Sequence, residues 1–292
     1  MGGSFTPKAT QDGSFTFFSD TFGEAFHSDF GARQEAETKF IQPTQLEQKA
    51  GRSSVAILDV CYGLGYNTAA ALEAIWQVNP ACRVQWMGLE LDQSVPKAAI
   101  AHHLLHQWSD PIPHLLQQLA DTGQVQSDRL HATLWVGDAR QTIRSVQQAG
   151  FRADAIFLDP FSPPRCPQLW TVEFVRELAR CLQPDGRLAT YSSAASVRAA
   201  LLVNQFCISS TYGAGRRSPG TIATLQPDAL PPLSQRQWEH LHTRAAVPYR
   251  DPSLGDTAAA ILERHCRDQS LSSLEPTSRW KRRWSKSVSQ AR

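Results

Sequence analysis

The chain has no apolar run approaching the roughly 18 residues that a membrane-spanning helix needs. Its first residues (MGGSFTPKATQDGSF) lack the basic and apolar regions of a secretory signal. A soluble, cytoplasmic protein is the expectation. The six cysteines, Cys61, Cys82, Cys166, Cys181, Cys207 and Cys266, stand singly, with no Cys-x-x-Cys pair and no Cys/His cluster at metal spacing. That argues against a disulfide framework or a zinc module, and predicts reduced thiols in or near the core and no metal. No internal repeat is present. The 292 residues, 41% hydrophobic and 19% charged, suffice for one sizeable α/β core with extensions. Net charge is scarce too, at a formal +2. Its distribution is uneven, because residues 279–292 (RWKRRWSKSVSQAR) hold six Lys/Arg and no acid, leaving 23 bases against 27 acids, a formal −4, in residues 1–278. Trp280 and Trp284 among those bases suit stacking on nucleic-acid bases, or equally the packing of a terminal helix on the domain.

What is present is an alternation of strand-like and helix-like segments. Residues 55–60 (VAILDV) form a continuous apolar run ending in an acid, the pattern of a parallel strand buried on both faces. Asn67 and Thr68 are placed to cap a helix reaching about Trp76. Further strands are expected at 84–89, 130–136, 155–158 and 187–191, and residues 206–212 and 221–225 read as an edge hairpin. The expected fold is α/β, a mostly parallel seven-stranded sheet with one antiparallel hairpin. Residues 1–50 read as an N-terminal cap, 51–226 as the core and 227–292 as a C-terminal helical extension with a basic tail.

Acids and glycines sit where the strands should end, the edge at which open α/β sheets bind ligands. In Asp59-Val60-Cys61-Tyr62-Gly63-Leu64-Gly65-Tyr66-Asn67 the glycines permit a tight turn and close backbone approach. The third glycine of a dinucleotide fingerprint would fall at Thr68 and is missing. Glu90 ends the next strand, where a carboxylate can accept both hydrogens of a ribose diol, and Asp138 ends the third, where it can accept an adenine amino hydrogen. Each acid alone equally suits a helix N-cap. Three in register fit adenosine, and the absent pyrophosphate glycine favours S-adenosylmethionine over a dinucleotide. The fourth strand end, Asp159-Pro160-Phe161-Ser162-Pro163-Pro164, resembles the Asp/Asn-Pro-Pro-Tyr/Phe box of amino-methyltransferases, with a proline-rich turn as the plainer alternative. Methyl transfer from a sulfonium is an in-line displacement, so alignment and a neutral amine are what the protein must provide. Asp159 can orient the amine, receive its proton or stabilise the charge developing on nitrogen.

At this point the sequence resembles a known family, the methyltransferase part of the bifunctional tRNA 5-methylaminomethyl-2-thiouridine biosynthesis enzyme (MnmC) and its stand-alone relatives. The family's Glu-Thr-Gly-Phe-Gly-Thr-Gly-Leu-Asn loop is similar to the segment 59–67. Its Asp-Gly-Phe-Ala-Pro-x-Lys-x-Pro-x-Met-Trp is similar to 159–170, with Arg165 for Lys and Leu169 for Met. Its Thr-x-Thr-x-Ala-x-x-Val-Arg resembles 190–198, and its late Gly-x-Gly-x-Lys-Arg resembles 213–217. The resemblance implies a class I Rossmann-like methyltransferase that methylates the aminomethyl nitrogen at carbon 5 of the tRNA wobble uridine. It implies Asp159 as the catalytic residue, and Asp59, Gly63, Gly65, Asn67, Glu90 and Asp138 as the S-adenosylmethionine set. Candidates for substrate contact are Phe161, Pro163 and Trp170, with Arg216, Arg217, Lys281, Arg282 and Arg283 reaching for the anticodon-loop backbone. Cys61 and Pro160 stand where the family has glycine. About 67 residues follow Leu225, so the family's flavin oxidoreductase is expected to be absent, and upstream enzymes would supply the aminomethyl uridine. Two rivals from other classes are a small-molecule amine transferase of the polyamine aminopropyltransferase kind, which calls for a more acidic pocket, and a non-catalytic RNA-binding protein on the same fold.

Overall fold

A computed structural model of the chain describes residues 5–211 and 219–289, the last helix with its side chains as far as Ser285. Arg216 and Arg217 lie outside the described residues. Two short hairpins open the chain, β1 (Lys8–Ala9) with β2 (Phe15–Thr16) and β3 (Phe18–Ser19) with β4 (Glu24–Ala25). Helical turns follow: α1 (Ala32–Ala36), a π-turn (Glu37–Ile41), α2 (Gln42–Thr44) and α3 (Leu46–Lys49). The core alternates β5 (Ser54–Val60), α4 (Tyr66–Val78), β6 (Arg83–Glu90), α5 (Ser94–Ala101), α6 (Ile112–Thr122), β7 (Gln124–Gln126), β8 (Leu130–Val136), α7 (Ala139–Gln148), β9 (Ala153–Leu158), α8 (Val172–Arg180), β10 (Leu182–Thr190), α9 (Ala195–Val203), β11 (Cys207–Ser210) and β12 (Thr221–Thr224).

The sheet order is β11-β12-β10-β9-β5-β6-β8-β7, with the five central strands parallel and β12 antiparallel to both β10 and β11. The seven expected strands are there, and β7 adds an eighth by pairing antiparallel with β8 at one edge. Three residues with a single buried side chain, Val125, leave little pattern to read. Strand β5 is central, so its side chains alternate between two cores. Val55 and Ile57 pack with α3, α4 and α6, while Leu58 and Val60 pack with α7, α8 and α9. The chain leaves β5 in one direction to β6 and β8 and in the other to β9 and β10. The crevice between β5 and β9 is therefore the switch point where such sheets take ligands.

The extension wraps the second face as α10 (Gln235–His240), α11 (Ala258–Leu271) and α12 (Thr277–Ser289). Fully buried Ile261 of α11 joins the core, and Tyr249 accepts the Val172 amide at 3.1 Å. The tightest seam is ionic. Arg140 of α7 donates to Asp251, which has no solvent exposure, at 2.8 Å, and Glu173 accepts from the Asp251 amide at 2.7 Å. Among the described residues no helix is long and apolar enough to cross a membrane.

Removing one partner of a buried ion pair leaves the other charge uncompensated, a loss of about 3–5 kcal/mol. Arg140→Met should lower the urea midpoint accordingly, with loosening centred on residues 249–256 in hydrogen exchange. An unchanged midpoint would show that Asp251 does not need the guanidinium.

Candidate active site

One turn of chain between β5 and α4 positions most of the site. Gly65, at φ 87°, is the residue at which α4 begins, and a Cβ there would lie 2.6 Å from the Tyr62 hydroxyl. The turn thus requires glycine. Asn67 and Thr68 do not cap α4 as expected; their side chains are used elsewhere. Thr68 Oγ1 donates to Asp59 at 2.7 Å, and Asn67 Nδ2 donates to Asp159 at 2.8 Å. Glu90 accepts the Gly63 amide at 2.8 Å on one oxygen and the Asp92 amide at 2.9 Å on the other. The three strand-end carboxylates are therefore tied to the glycine turn by neutral donors.

Of these groups Gly63, Glu90, Asp92 and Asp159 face a cavity of about 570 Å³, a size common for small-molecule sites. Cys61, Gly63, Glu90, Asp92, Asp159 and Phe161 line its floor, and Tyr191 comes from the end of β10. The opposite wall is the N-terminal segment, Phe5 with residues 18–22 and 24–28, so the expected cap also builds the site. Phe22 stacks on Phe161 with centroids 4.4 Å apart, and Phe26 meets the same ring edge-on at 5.0 Å. Glu24 accepts both the Ser162 hydroxyl and the Ser162 amide, locking this wall to the Asp159 loop. The recurrence of Phe18, Phe22, Phe26 and Phe30 at four-residue spacing in a chain only 9% aromatic was the available signal.

Six carboxyl side chains line the cavity, those of Asp20, Glu24, Glu35, Glu90, Asp92 and Asp159, and no Lys or Arg does among the described residues. Burial pushes the Asp59 carboxyl up to about 7, helped by Glu90 and opposed by the Thr68 hydrogen bond. Burial likewise raises Glu90, against its backbone donors. One Asp59 oxygen, Oδ1, is buried with no hydrogen-bond partner.

The expected site residues divide. Gly63, Glu90, Asp159 and Phe161 line the cavity, while Asp59 and Asn67 stand behind it, buried. Asp138 does not line it. Its carboxylate caps α7 through the Arg140 amide and is gripped by the Arg140 guanidinium at 2.6 Å. Burial disfavours the charge there, yet those hydrogen bonds outweigh it and hold Asp138 below the usual carboxylate range. Trp170 has no solvent exposure, so it reaches no substrate; its indole N–H donates to the Phe161 carbonyl at 2.9 Å and supports the loop from beneath. Pro163 is buried off the cavity wall. In the tail, Trp280 is buried and stacks on His240 at 4.3 Å, which decides for packing. Arg283 is committed to Glu239 and Glu275, whereas Lys281 and Arg282 are exposed.

A family described as "S-adenosyl-L-methionine-dependent methyltransferase" matches residues 96–226. The crystal structure of MnmC2 from Aquifex aeolicus is 33% identical, covers 92% of this chain and 86% of its own, and superposes with a TM-score of 0.81. The chain belongs to the MnmC2-type S-adenosylmethionine-dependent methyltransferases. An uncharacterized protein of Methanocaldococcus jannaschii is 31% identical, covering 87% of this chain and 69% of that protein. The tRNA 5-methylaminomethyl-2-thiouridine biosynthesis bifunctional protein MnmC of Methylibium petroleiphilum is 29% identical over 72% of this chain; the match spans 33% of that longer protein. The cavity of this MnmC2-type chain suits the cofactor. S-adenosylmethionine carries a sulfonium and an ammonium, and the wall offers only carboxyl groups as its ionisable partners besides His27, Cys61, Cys166 and Tyr191.

Two measurements check this geometry. Glu90→Ala should weaken S-adenosylmethionine binding by about 1.5–3 kcal/mol, the range for charged hydrogen bonds, and wild-type affinity in calorimetry would remove Glu90 from the cofactor set. The second concerns Asp59, whose folded pKa of about 7 lies above its ordinary 3.8. Its protonated form is favoured by folding, so its contribution is full below about pH 4 and is lost as pH rises through about 7. Asp59→Asn should gain urea midpoint over wild type progressively across that window and then level off. A pH-independent difference would place Asp59 at an ordinary pKa.

Proposed function

We propose that the enzyme transfers a methyl group to a primary amine, the aminomethyl group at carbon 5 of the tRNA wobble uridine. The observation that carries this reading is Asp159, on the cavity wall beside Phe161 and held by the Asn67 amide at 2.8 Å. An alkyl amine is mostly protonated near neutral pH, since Lys-like amines titrate near ~10.4. A carboxyl-lined cavity attracts that cation, and Asp159 then orients the nitrogen and takes its proton. S-adenosylmethionine, when bound, would supply the electrophilic methyl group for the nitrogen lone pair, with the neutral thioether as the leaving group. Glu90 and the Gly63 turn would hold the adenosine, and Asn67 acts as a positioning residue for Asp159. The stacked Phe22 and Phe161 rings exclude water and offer a flat apolar surface to a pyrimidine. The role of the bifunctional relatives in tRNA 5-methylaminomethyl-2-thiouridine biosynthesis supports tRNA as the substrate.

The same six carboxyl groups also favour a second reading, transfer to a small polyamine-like cation. One assay separates the two. tRNA carrying 5-aminomethyl uridine, and in parallel a panel of free polyamines, is incubated with enzyme and isotope-labelled S-adenosylmethionine, and the products are resolved by mass spectrometry. One labelled methyl on the uridine amine is expected, with none on the free amines; the reverse would replace the first reading by the second.

In that assay Asp159→Ala should lower kcat by ~10²-fold or more, as for loss of a positioned acid/base or charge stabiliser. Its S-adenosylmethionine affinity should stay within about twofold of wild type. A fully active Asp159→Ala enzyme would end the amine-positioning role.

A further inference from the structure

Arg198 of α9 is only 3% exposed. Its Nε donates to Thr221 Oγ1 at 3.0 Å, and its Nη2 donates to Ser210 Oγ at 2.8 Å and to the Gly220 carbonyl at 3.2 Å. All three acceptors are neutral, and no carboxylate among the described residues balances the charge. A buried guanidinium is normally kept by an opposite charge. Here burial alone sets its ionisation, drawing it down to about 10.

Two more cations join it. Ser210 Oγ also accepts from Gln237 Nε2 at 2.6 Å, so the start of α10 is fastened to the group that Arg198 holds. Beside Gln237, exposed Arg236 lies 5.6 Å from the centre of the Trp280 indole, which itself stacks on His240. Lys281 follows Trp280 and is exposed. Burial first, then the charges of Arg198, Lys281 and Arg236 in turn, lower the His240 pKa, as three cations around one imidazole would. The nearby acids Glu239 and Glu275 share Arg283, so that trio keeps a net −1 and does not cancel three cations.

The position of this cluster follows from the sheet. Strands β10 and β11 are both antiparallel to β12, so Thr190 and Ser210 end at the same edge. Tyr191, next to Thr190, lines the cavity, and Thr221 Oγ1 donates to the Ser192 carbonyl at 2.7 Å. We propose that exposed Arg236 and Lys281, in the field of the buried and uncompensated Arg198 guanidinium, form a phosphate-binding patch beside the cavity, which grips the RNA backbone next to the nucleotide being methylated. The proposal rests on the tRNA reading above. It supplies what that reading lacks, because a cavity lined by six carboxyl groups repels phosphates and the backbone must be held outside it.

The test is the double variant Arg236→Ala/Lys281→Ala, whose altered side chains are exposed. S-adenosylmethionine affinity by calorimetry should equal wild type, showing that the fold is intact. The tRNA dissociation constant, followed by fluorescence anisotropy across a salt series, should rise about tenfold near ~0.1 M salt. The slope of log affinity against log salt should flatten by about 1.4, at ~0.7 per lost single-strand phosphate contact. A dissociation constant and slope equal to wild type would overturn the patch. Wild-type enzyme that binds tRNA with these salt effects but methylates no uridine amine would overturn the function and leave the patch standing. Wild type that binds no tRNA would overturn both.

Discussion

The site depends on how carboxyl groups are buried at the ends of parallel strands without cations beside them. Asp59, Glu90 and Asp159 end or follow β5, β6 and β9, and each is held by a neutral donor from the β5–α4 turn or the first residues of α4: Thr68, the Gly63 amide and Asn67. A guanidinium in their place would cancel the field that a sulfonium or an ammonium needs. Neutral donors oppose the burial that raises Asp59 and Glu90 without placing a cation against the cavity's carboxyl groups. The same turn also organises the opposite wall, since the Tyr66 hydroxyl accepts the Phe15 amide at 3.1 Å and donates to the Leu104 carbonyl at 3.1 Å. One decapeptide thus fixes the floor and anchors the segment that covers it.

Where cations are wanted for structure, the chain keeps them off the cavity wall. Arg140 bridges Asp138 and Asp251 and fastens the extension to the core, and Arg283 pairs with Glu239 and Glu275 to fasten α12 to α10. The formal +2 of the whole chain conceals an acidic cavity and a C-terminal stretch, residues 279–292, with six Lys/Arg and no acid.

The parts legible in the sequence were those with local causes. Continuous apolar runs at β5 and β9, acids at strand ends and glycines in the first turn follow from short-range rules, and the parallel sheet and the Asp159 loop came with them. What escaped had distant causes. The sequence suits Asp138 to an adenine acceptor, and nothing local says that Arg140, two residues on, folds back over it, with Asp251 fixing the other end of that guanidinium 111 residues away. Trp170 looked like a substrate face because aromatic residues suit either role, and only packing under the Phe161 loop decides. Arg283 looked available because its partners Glu239 and Glu275 precede it by 44 and 8 residues.

Cys61 shows how such a turn tolerates an unfavourable local choice. It occupies a position at which the resembling family carries glycine, and it adopts φ 69°, a left-handed conformation that costs a non-glycine residue of order 1 kcal/mol. Gly63 and Gly65, at φ 58° and 87°, take the same region without that cost. The compensation is visible in the backbone. The Cys61 and Tyr62 amides both donate to the Leu89 carbonyl, at 2.9 and 3.1 Å, before the Gly63 amide reaches the Glu90 carboxylate at 2.8 Å. The turn is stitched to β6 along its length, so its shape is set by the neighbouring strand more than by the preference of residue 61. Burial meanwhile keeps the Cys61 thiol protonated by pushing its pKa up, beside Cys166 and the carboxylates. A small, neutral side chain at this point adds no charge to a wall whose acidity suits a sulfonium or an ammonium.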